Sequence, residues 1–364
     1  MAVESREGGG ECQSGVLYCA PMAACAAIPL LEIAPLAFFT ALALTPITRA
    51  FARATGFVDH PDPRKAHARA TPLLGGVAIA GALAAAPLLA RAIASSSVTA
   101  PRPGLLAGAL VALGLGLVDD RRPLGPAPKL LGQLLAAVCL IAWGTDVVPL
   151  RSNPLLAAAA LVAVVALLNA VNFLDNLDGI VGTMLPVTAG GFVALALVHG
   201  ATVDLALAWG LVGACAGFLL YNAPPARIFL GDAGSHLLGY ALAALALQSL
   251  EGSFTWPHLA AVVALLAYPI FDLAFVVLDR TARRRPVHVG GVDHTTHRLA
   301  KLYGPWGALG VIAGLCFANA IAGVWLWSRS DPLSTVGTLG ILALGYALFG
   351  VRLRHVSPTS TFVT

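Results

Sequence analysis

The chain has 364 residues, of which 58% are hydrophobic and only 11% charged, with a mean hydropathy of +0.83. Soluble domains carry about 25% charged residues, so these totals exclude a water-soluble globular protein and place the chain in a bilayer. The net charge of +4 is too small to argue for nucleic acid, and what matters is where the basic residues sit.

In chain order, residues 1–27 read as a loose N-terminal tail. Cys12, Cys19 and Cys25 lie there or at its end with neither zinc spacing nor a His partner. Uncharged runs of about membrane-crossing length follow at 28–48, 73–93, 104–118, 130–148, 154–171, 185–199, 203–220, 236–250, 258–278, 306–328 and 334–351. Only helices and closed barrels satisfy every backbone group in lipid, and runs this long without alternation are helices. The predicted fold is an all-α integral membrane protein, a polytopic bundle of about 11 transmembrane helices, with ten as the other count. One membrane domain spans 28–352, and 353–364 reads as a C-terminal tail. Cys139, Cys215 and Cys316 fall inside apolar runs as small buried packers.

Seventeen of the 22 basic residues fall in the loops after odd-numbered spans or in the C-terminal tail. By the positive-inside rule those loops are cytoplasmic and the N-terminus lies outside. Every dense polar stretch falls on that same side: DHPDPRKAHARATPLLGG (59–76), VDDRRPLGPAPK (118–129), NFLDNLDGIVG (172–182), YNAPPARIFLGDAGS (221–235) and DRTARRRPVHVGGVDHTTHRL (279–299). Carboxylates, amides, imidazoles and guanidiniums gathered on one membrane face are the mark of a site.

Arg64, Lys65, His67 and Arg69 form a basic cluster in the first stretch. Asp119 and Asp120 repel one another unless a cation or hydrogen bonds hold them. Asp175 and Asp178 are three apart, so they share a face if the helix continues through them. Asn169 and Asn172 extend that polar stripe into the apolar run, where it must face protein or water. In FLGDAGS the small residues let backbone approach a ligand, and Asp232 offers a carboxylate at a helix start, with capping by Asp232 or Ser235 as the plain alternative. His294 and His297 stand beside Asp293 and Arg298. Their spacing lacks the usual zinc pattern, and with Arg283–Arg285 nearby they read as phosphate-binding groups. Asp272, inside an apolar span, needs a partner, for which Arg280 is a candidate.

Together these stretches resemble the polyprenyl-phosphate N-acetylhexosamine-1-phosphate transferases (glycosyltransferase family 4). The resemblance spans about 45–300 and keeps the order of DHPDPRKAH with TPLLGG, VDD with Lys129, NAVNFLDNLDGIVG, YN with FLGDAGS, and DHTTHRL. It implies ten or eleven helices, often in a homodimer, with the site on the cytoplasmic face of the cell membrane. It also implies transfer of a sugar 1-phosphate from a UDP-sugar to a polyprenyl phosphate, with release of UMP at the start of cell-envelope polysaccharide synthesis. Magnesium is the implied cofactor, with manganese as a substitute. By the same resemblance Asn172 and Asp232 fall at metal positions, and Asp119, Asp120 and Asp232 at catalytic ones. Asp175, Asn176, Asp178 and Asn222 fall where the nucleotide is held, and Lys65, His67, Lys129, His294, His297 and Arg298 near the phosphates. Many members carry H-x-H-H in the last stretch, where Thr296 stands here. With the RKAH loop, this favours a UDP-N-acetylglucosamine donor over phospho-N-acetylmuramoyl-pentapeptide transfer.

The residue types suit that chemistry. A sugar diphosphate and a lipid phosphate are both anionic, and joining them in a low-dielectric site requires cations. The expected route is direct attack of the lipid phosphate on the β-phosphorus, with Asp119 as base or orienting group and Asp120 supporting the metal. A covalent Asp119 intermediate is the other route. A transporter would place its carboxylates at mid-membrane in broken helices, whereas here they gather at helix ends. A CDP-alcohol phosphotransferase would need DG-x2-AR, and Asp178-Gly179 continues Ile-Val-Gly-Thr.

Overall fold

The computed structural model describes residues 28–59, 70–94, 98–286, 291–329 and 331–357. The tail 1–27 and the expected site residues Lys65 and His67 lie outside the described residues. After a 3-10 turn at Ile28–Glu32 come α1 (Ile33–Thr55), α2 (Gly75–Ala94), α3 (Pro103–Arg121), α4 (Pro126–Cys139, continued by a π turn over Leu140–Gly144) and a short α5 (Val148–Ser152). Then follow α6 (Pro154–Leu174), α7 (Ile180–His199), α8 (Leu205–Asn222) and α9 (Gly231–Ser249). The chain closes with α10 (Trp256–Leu265), α11 (Ala267–Ala282), α12 (Thr295–Arg329) and α13 (Pro332–Arg354). The strands among the described residues are β1 (Val58–Asp59) and β2 (Thr71–Pro72), which pair antiparallel.

Each of the eleven expected spans lands on one of these helices or, for 258–278, on α10 and α11, which bend by 75° where they meet. Among the described residues nine helices are long and apolar enough to cross a membrane, or ten with that bent pair. Helix α9 falls short of that apolarity for a physical reason: it does not meet lipid. All but Asp232 and Leu247 of its 19 residues are buried, enclosed by α3, α6, α2 and α7. Helices at the perimeter turn large apolar side chains outward instead, with Leu155 80% and Leu333 84% exposed, as a hydrocarbon surrounding favours. Helix α12 breaks at Gly304, where φ is +72°, so its polar first turns and its apolar body point in different directions.

The two poles of the bundle differ. At one, helices begin with proline or a side-chain cap, as both groups suit a first turn. Asn153 Oδ1 accepts from the amides of Leu155 (3.0 Å) and Leu156 (3.2 Å), and Asp331 Oδ1 from that of Ser334 (2.8 Å). There Arg102 grips Glu251 through both terminal nitrogens, and the Asp146 amide donates to the same carboxylate at 2.8 Å. At the other pole lie the ends of α3, α6 and α8 and the starts of α4, α7, α9 and α12, which carry the polar stretches.

Glycine sets how closely these helices meet. A Cβ at Gly116 would stand 2.2 Å from the Asp232 carbonyl oxygen, and one at Gly76 would stand 2.2 Å from the Gly234 nitrogen. Helices α2 and α3 therefore rest backbone to backbone on the first turn of α9. Gly116→Ala should lower stability by about 1–3 kcal/mol through overpacking. The thermal unfolding midpoint of the detergent-purified protein reads it, and an unchanged midpoint would show that the contact is slack.

Residues 353–357, expected to open a C-terminal tail, are packed against the bundle. Leu353 is 1% exposed, α13 runs to Arg354, and Lys301 Nζ donates to the Ser357 carbonyl at 2.9 Å.

Candidate active site

Asp119 ends up 9% exposed at the last turn of α3. Its Oδ1 accepts from the Leu124 amide (2.5 Å) and its Oδ2 from Lys129 Nζ (2.7 Å). The same ammonium reaches Asp232 Oδ2 at 3.0 Å, and Asp232 Oδ1 accepts from Asn172 Nδ2 at 2.6 Å. Three helices, α3, α4 and α9, thus meet a fourth, α6, through one lysine and two carboxylates. Asn172 Nδ2 also donates to Ser235 Oγ at 2.9 Å, so its Oδ1 is the atom left for a cation.

Asp120 departs from the expectation. Its oxygens accept from the backbone amides of Asp232 (2.8 Å) and Ala233 (3.0 Å). The cap of α9 is therefore Asp120 from a different helix, not Asp232 or Ser235, and Asp120 positions Asp232. Gly231 makes the approach feasible: its φ is +75°, and a Cβ there would meet the Leu73 oxygen at 2.5 Å. The TPLLGG and FLGD stretches lie side by side, with Gly75 and Gly76 amides on the Phe229 and Leu230 carbonyls (3.0 and 2.8 Å).

The helical face expected for Asp175 and Asp178 is absent, because α6 ends at Leu174 and residues 175–179 turn away. Asn176 Nδ2 closes back on the Phe173 carbonyl, and Gly179 takes φ +76° to start α7. The two carboxylates meet different surroundings. Asp178 Oδ2 accepts from the Ala226 amide at 2.8 Å. Asp175 accepts no side-chain hydrogen bond among the described residues. Its enclosure raises its carboxyl well above the usual range, and the charges of Asp232, Asp120 and Asp178 push the same way. Asn222, expected at the nucleotide, braces the turn after α6 against the stretch before α9. Its Oδ1 accepts from the Gly179 amide (3.1 Å) and its Nδ2 donates to the Ile228 carbonyl (3.0 Å).

The partner of Asp272 is not Arg280. Asp272, fully buried on α11, accepts from His294 Nδ1 (2.8 Å) and from the amide of Thr295 (2.9 Å). A carboxylate cannot donate here, so His294 carries its proton on Nδ1. Arg280 pairs with Asp293 at 3.2 Å. Thr296 donates its hydroxyl to Asn176 Oδ1 at 2.6 Å and ties α12 to the turn after α6. His297 is 4% exposed, and its Nδ1 has no hydrogen-bond partner among the described residues. Arg298, expected near phosphates, is fully buried and used elsewhere. Its Nη1 donates to the carbonyls of Leu353 (3.0 Å), Arg354 (3.3 Å) and Val356 (2.8 Å), and Nη2 stands 3.5 Å from Asp279 Oδ2.

Asp272→Asn keeps the shape but removes the charge behind His294. On the expectation that His294 contacts the phosphates of the nucleotide, it should weaken UMP binding by about tenfold, as loss of a partner behind a ligating histidine does. Calorimetric titration with UMP reads this, and unchanged affinity would detach Asp272 from the site.

Sequence reasoning also missed Gln133 and His236. Both stand in apolar runs, and both are fully or almost fully buried, at 1% and 0% exposure. Among the described residues no three His, Cys, Asp or Glu side chains gather closely enough to form a metal site alone. Magnesium does not require that, because it takes one or two carboxylates and completes its shell with phosphate and water. The hard oxygens of Asp232 and Asn172 fit such an ion, and Asp175 lies close enough for its charge to act on that of Asp232.

Comparison with known proteins identifies the family. Residues 103–250, which hold Asp119 through Asp232, match the model of glycosyl transferase family 4. A probable undecaprenyl-phosphate N-acetylglucosaminyl 1-phosphate transferase of Bacillus subtilis (strain 168) is 31% identical over 270 residues, 71% of this chain and 74% of the relative. The decaprenyl-phosphate N-acetylglucosaminephosphotransferase of Mycobacterium tuberculosis (strain ATCC 25618 / H37Rv) is 34% identical over 322 residues, 76% and 78% of the two chains. An undecaprenyl-phosphate alpha-N-acetylglucosaminyl 1-phosphate transferase of Thermotoga maritima is 28% identical over 281 residues, 77% of this chain and 86% of the relative. With most of its length aligned to such enzymes and Asp119, Asp120 and Asp232 brought together at one pole of a helical bundle, this multi-pass membrane protein belongs to glycosyl transferase family 4.

Proposed function

We propose that the chain transfers N-acetylglucosamine 1-phosphate from UDP-N-acetylglucosamine to a polyprenyl phosphate at the cytoplasmic face of the cell membrane, releasing UMP. The observation that carries this reading is the meeting of Asp119, Lys129, Asn172 and Asp232 through contacts of 2.6–3.0 Å at one pole of a membrane bundle. A lipid acceptor can reach that pole from the bilayer and a nucleotide sugar from water.

An oxygen of the lipid phosphate attacks the β-phosphorus of the donor, a new P–O bond forms, and the bond to the bridging oxygen breaks. UMP leaves with that oxygen. Asp232 and Asn172 would hold a magnesium ion, which when bound would supply charge neutralisation and polarisation of the diphosphate. Lys129 carries the positive charge that this chain contributes between the reacting anions. Asp119 fixes Lys129 and can take a proton from the attacking phosphate. Its oxygens already accept two hydrogen bonds and it is nearly buried, which favours direct attack over a covalent Asp119 intermediate. His294, whose Nδ1–H is held by Asp272, donates to a phosphate oxygen as an imidazolium, through Nε2–H, and His297 does so through a protonated ring nitrogen.

The test is release of UMP by the purified protein, offered UDP-N-acetylglucosamine, polyprenyl phosphate and magnesium, with the lipid product identified by mass. A panel of other UDP-sugars, including the muramoyl-pentapeptide donor, settles the sugar. No UMP with any donor sinks the proposal, and a phosphorylated Asp119 trapped with donor alone sinks the direct route.

A further inference from the structure

Behind the site, one helical turn deeper in the bundle, lies a polar cluster in an otherwise apolar layer. His236 Nδ1 stands 2.7 Å from the carbonyl oxygen of Asp232. A carbonyl only accepts, so Nδ1 carries the proton and Nε2 is an acceptor. Gln133 Nε2 fills that role as donor at 3.1 Å. Its second hydrogen goes to Asn169 Oδ1, also at 3.1 Å, and Asn169 Nδ2 returns a bond to Gln133 Oε1 at 2.8 Å. The last Asn169 hydrogen goes to the Val165 carbonyl at 2.8 Å. Every donor of the three side chains is thereby used, and the Gln133–Asn169 pair donates in both directions.

The three residues come from α4, α6 and α9. Each stands one turn from a residue of the site on its own helix: Gln133 four after Lys129, Asn169 three before Asn172, His236 four after Asp232. Residues at such spacing share a helical face. We propose that Gln133, Asn169 and His236 are positioning residues that lock the relative heights of α4, α6 and α9, and so hold Lys129, Asn172 and Asp232 in register for the phosphates and their cation. The role rests on the transfer reaction proposed above. A sliding of one helix by a fraction of a turn would carry its site residue with it, and misplacement by about 1 Å costs about a hundredfold in rate.

The apolar replacement separates positioning from stability. The triple variant Gln133→Leu/Asn169→Leu/His236→Leu leaves no buried side-chain donor unpaired, and replacing all partners together is close to neutral for folding. In lipid nanodiscs it should keep its unfolding midpoint. Binding of manganese in the presence of UMP, read by electron paramagnetic resonance, should weaken about tenfold or more, and turnover should fall by about 10–100-fold. Wild-type manganese binding and turnover in the triple variant would overturn the proposal.

Should the triple variant fail to fold, the exchange Gln133→Asn/Asn169→Gln decides. Each single change should weaken manganese binding and the exchanged pair should restore it, because it keeps the reciprocal amide bond. Single changes without effect, or an exchanged pair no better than either, would likewise overturn it. Absence of UMP release by the unaltered protein strikes at the reaction instead, since the manganese signal reports the register without turnover.

Discussion

Asp232→Asn should lower turnover by about a hundredfold to a thousandfold, a range found when one preorganised charge-stabilising group is removed. The carboxylate accepts from Asn172 at 2.6 Å and from Lys129 at 3.0 Å, and both contacts need an oxygen. An amide offers one oxygen and one NH2 group, so one of these donors would face another donor. The negative charge that fits a divalent ion would also be gone. Folding should be little changed, because the backbone amide of residue 232 still donates to Asp120. Turnover and manganese affinity should therefore fall together while the unfolding midpoint holds. Asp120→Asn should behave differently. It disturbs the cap on α9 and should lower the midpoint as well as turnover. Near-normal turnover in Asp232→Asn would remove Asp232 from the chemistry.

Arg298→Ala should reduce stability by about 3 kcal/mol, since it strips donors from buried carbonyls and a positive charge from beside buried Asp279. A role in substrate binding and the role seen here predict different results. A phosphate ligand, once removed, would raise KM for the UDP-sugar and leave the midpoint alone. A clamp on the chain end at Leu353–Val356 would lower the midpoint with KM changing only as folded protein is lost. Deleting residues 353–364 should copy the midpoint shift, because it removes the carbonyls that Arg298 holds. A stable Arg298→Ala protein with a raised KM would restore the binding role.

The helices could be read in advance because their cause is local: an uncharged run of about twenty residues has few other solutions in lipid. Which face of a helix meets which neighbour is not local, and there the reading needed the structure. Asp119 and Lys129 are ten residues apart, and their meeting follows from a short turn between α3 and α4. Asp120, adjacent to Asp119, has a different task only because α9 brings two free amides to it. Asp272 and Arg298 were read by proximity in the chain, as a partner for Arg280 and a phosphate ligand. Packing of α11 and α13 against the start of α12 gave each a different set of contacts. The turn at 175–179 was signalled by Gly179, yet the i, i+3 spacing of the carboxylates argued for a helix. Gln133 and His236 were visible as polar residues in apolar runs. Nothing in either run said that the two would face each other.

Helix α9 carries Asp232 and yet is the segment with the weakest claim to a place in lipid, being sheathed by neighbours along almost its whole length. During synthesis such a segment gains little by partitioning into the membrane alone, since Asp, His and Gln each oppose it. Its entry must lean on helices already delivered, among them α3 and α6, whose amide and carboxylate groups receive it. The pole that gathers Asp119, Lys129, Asn172 and Asp232 is therefore complete only once α9 has joined α3 and α6.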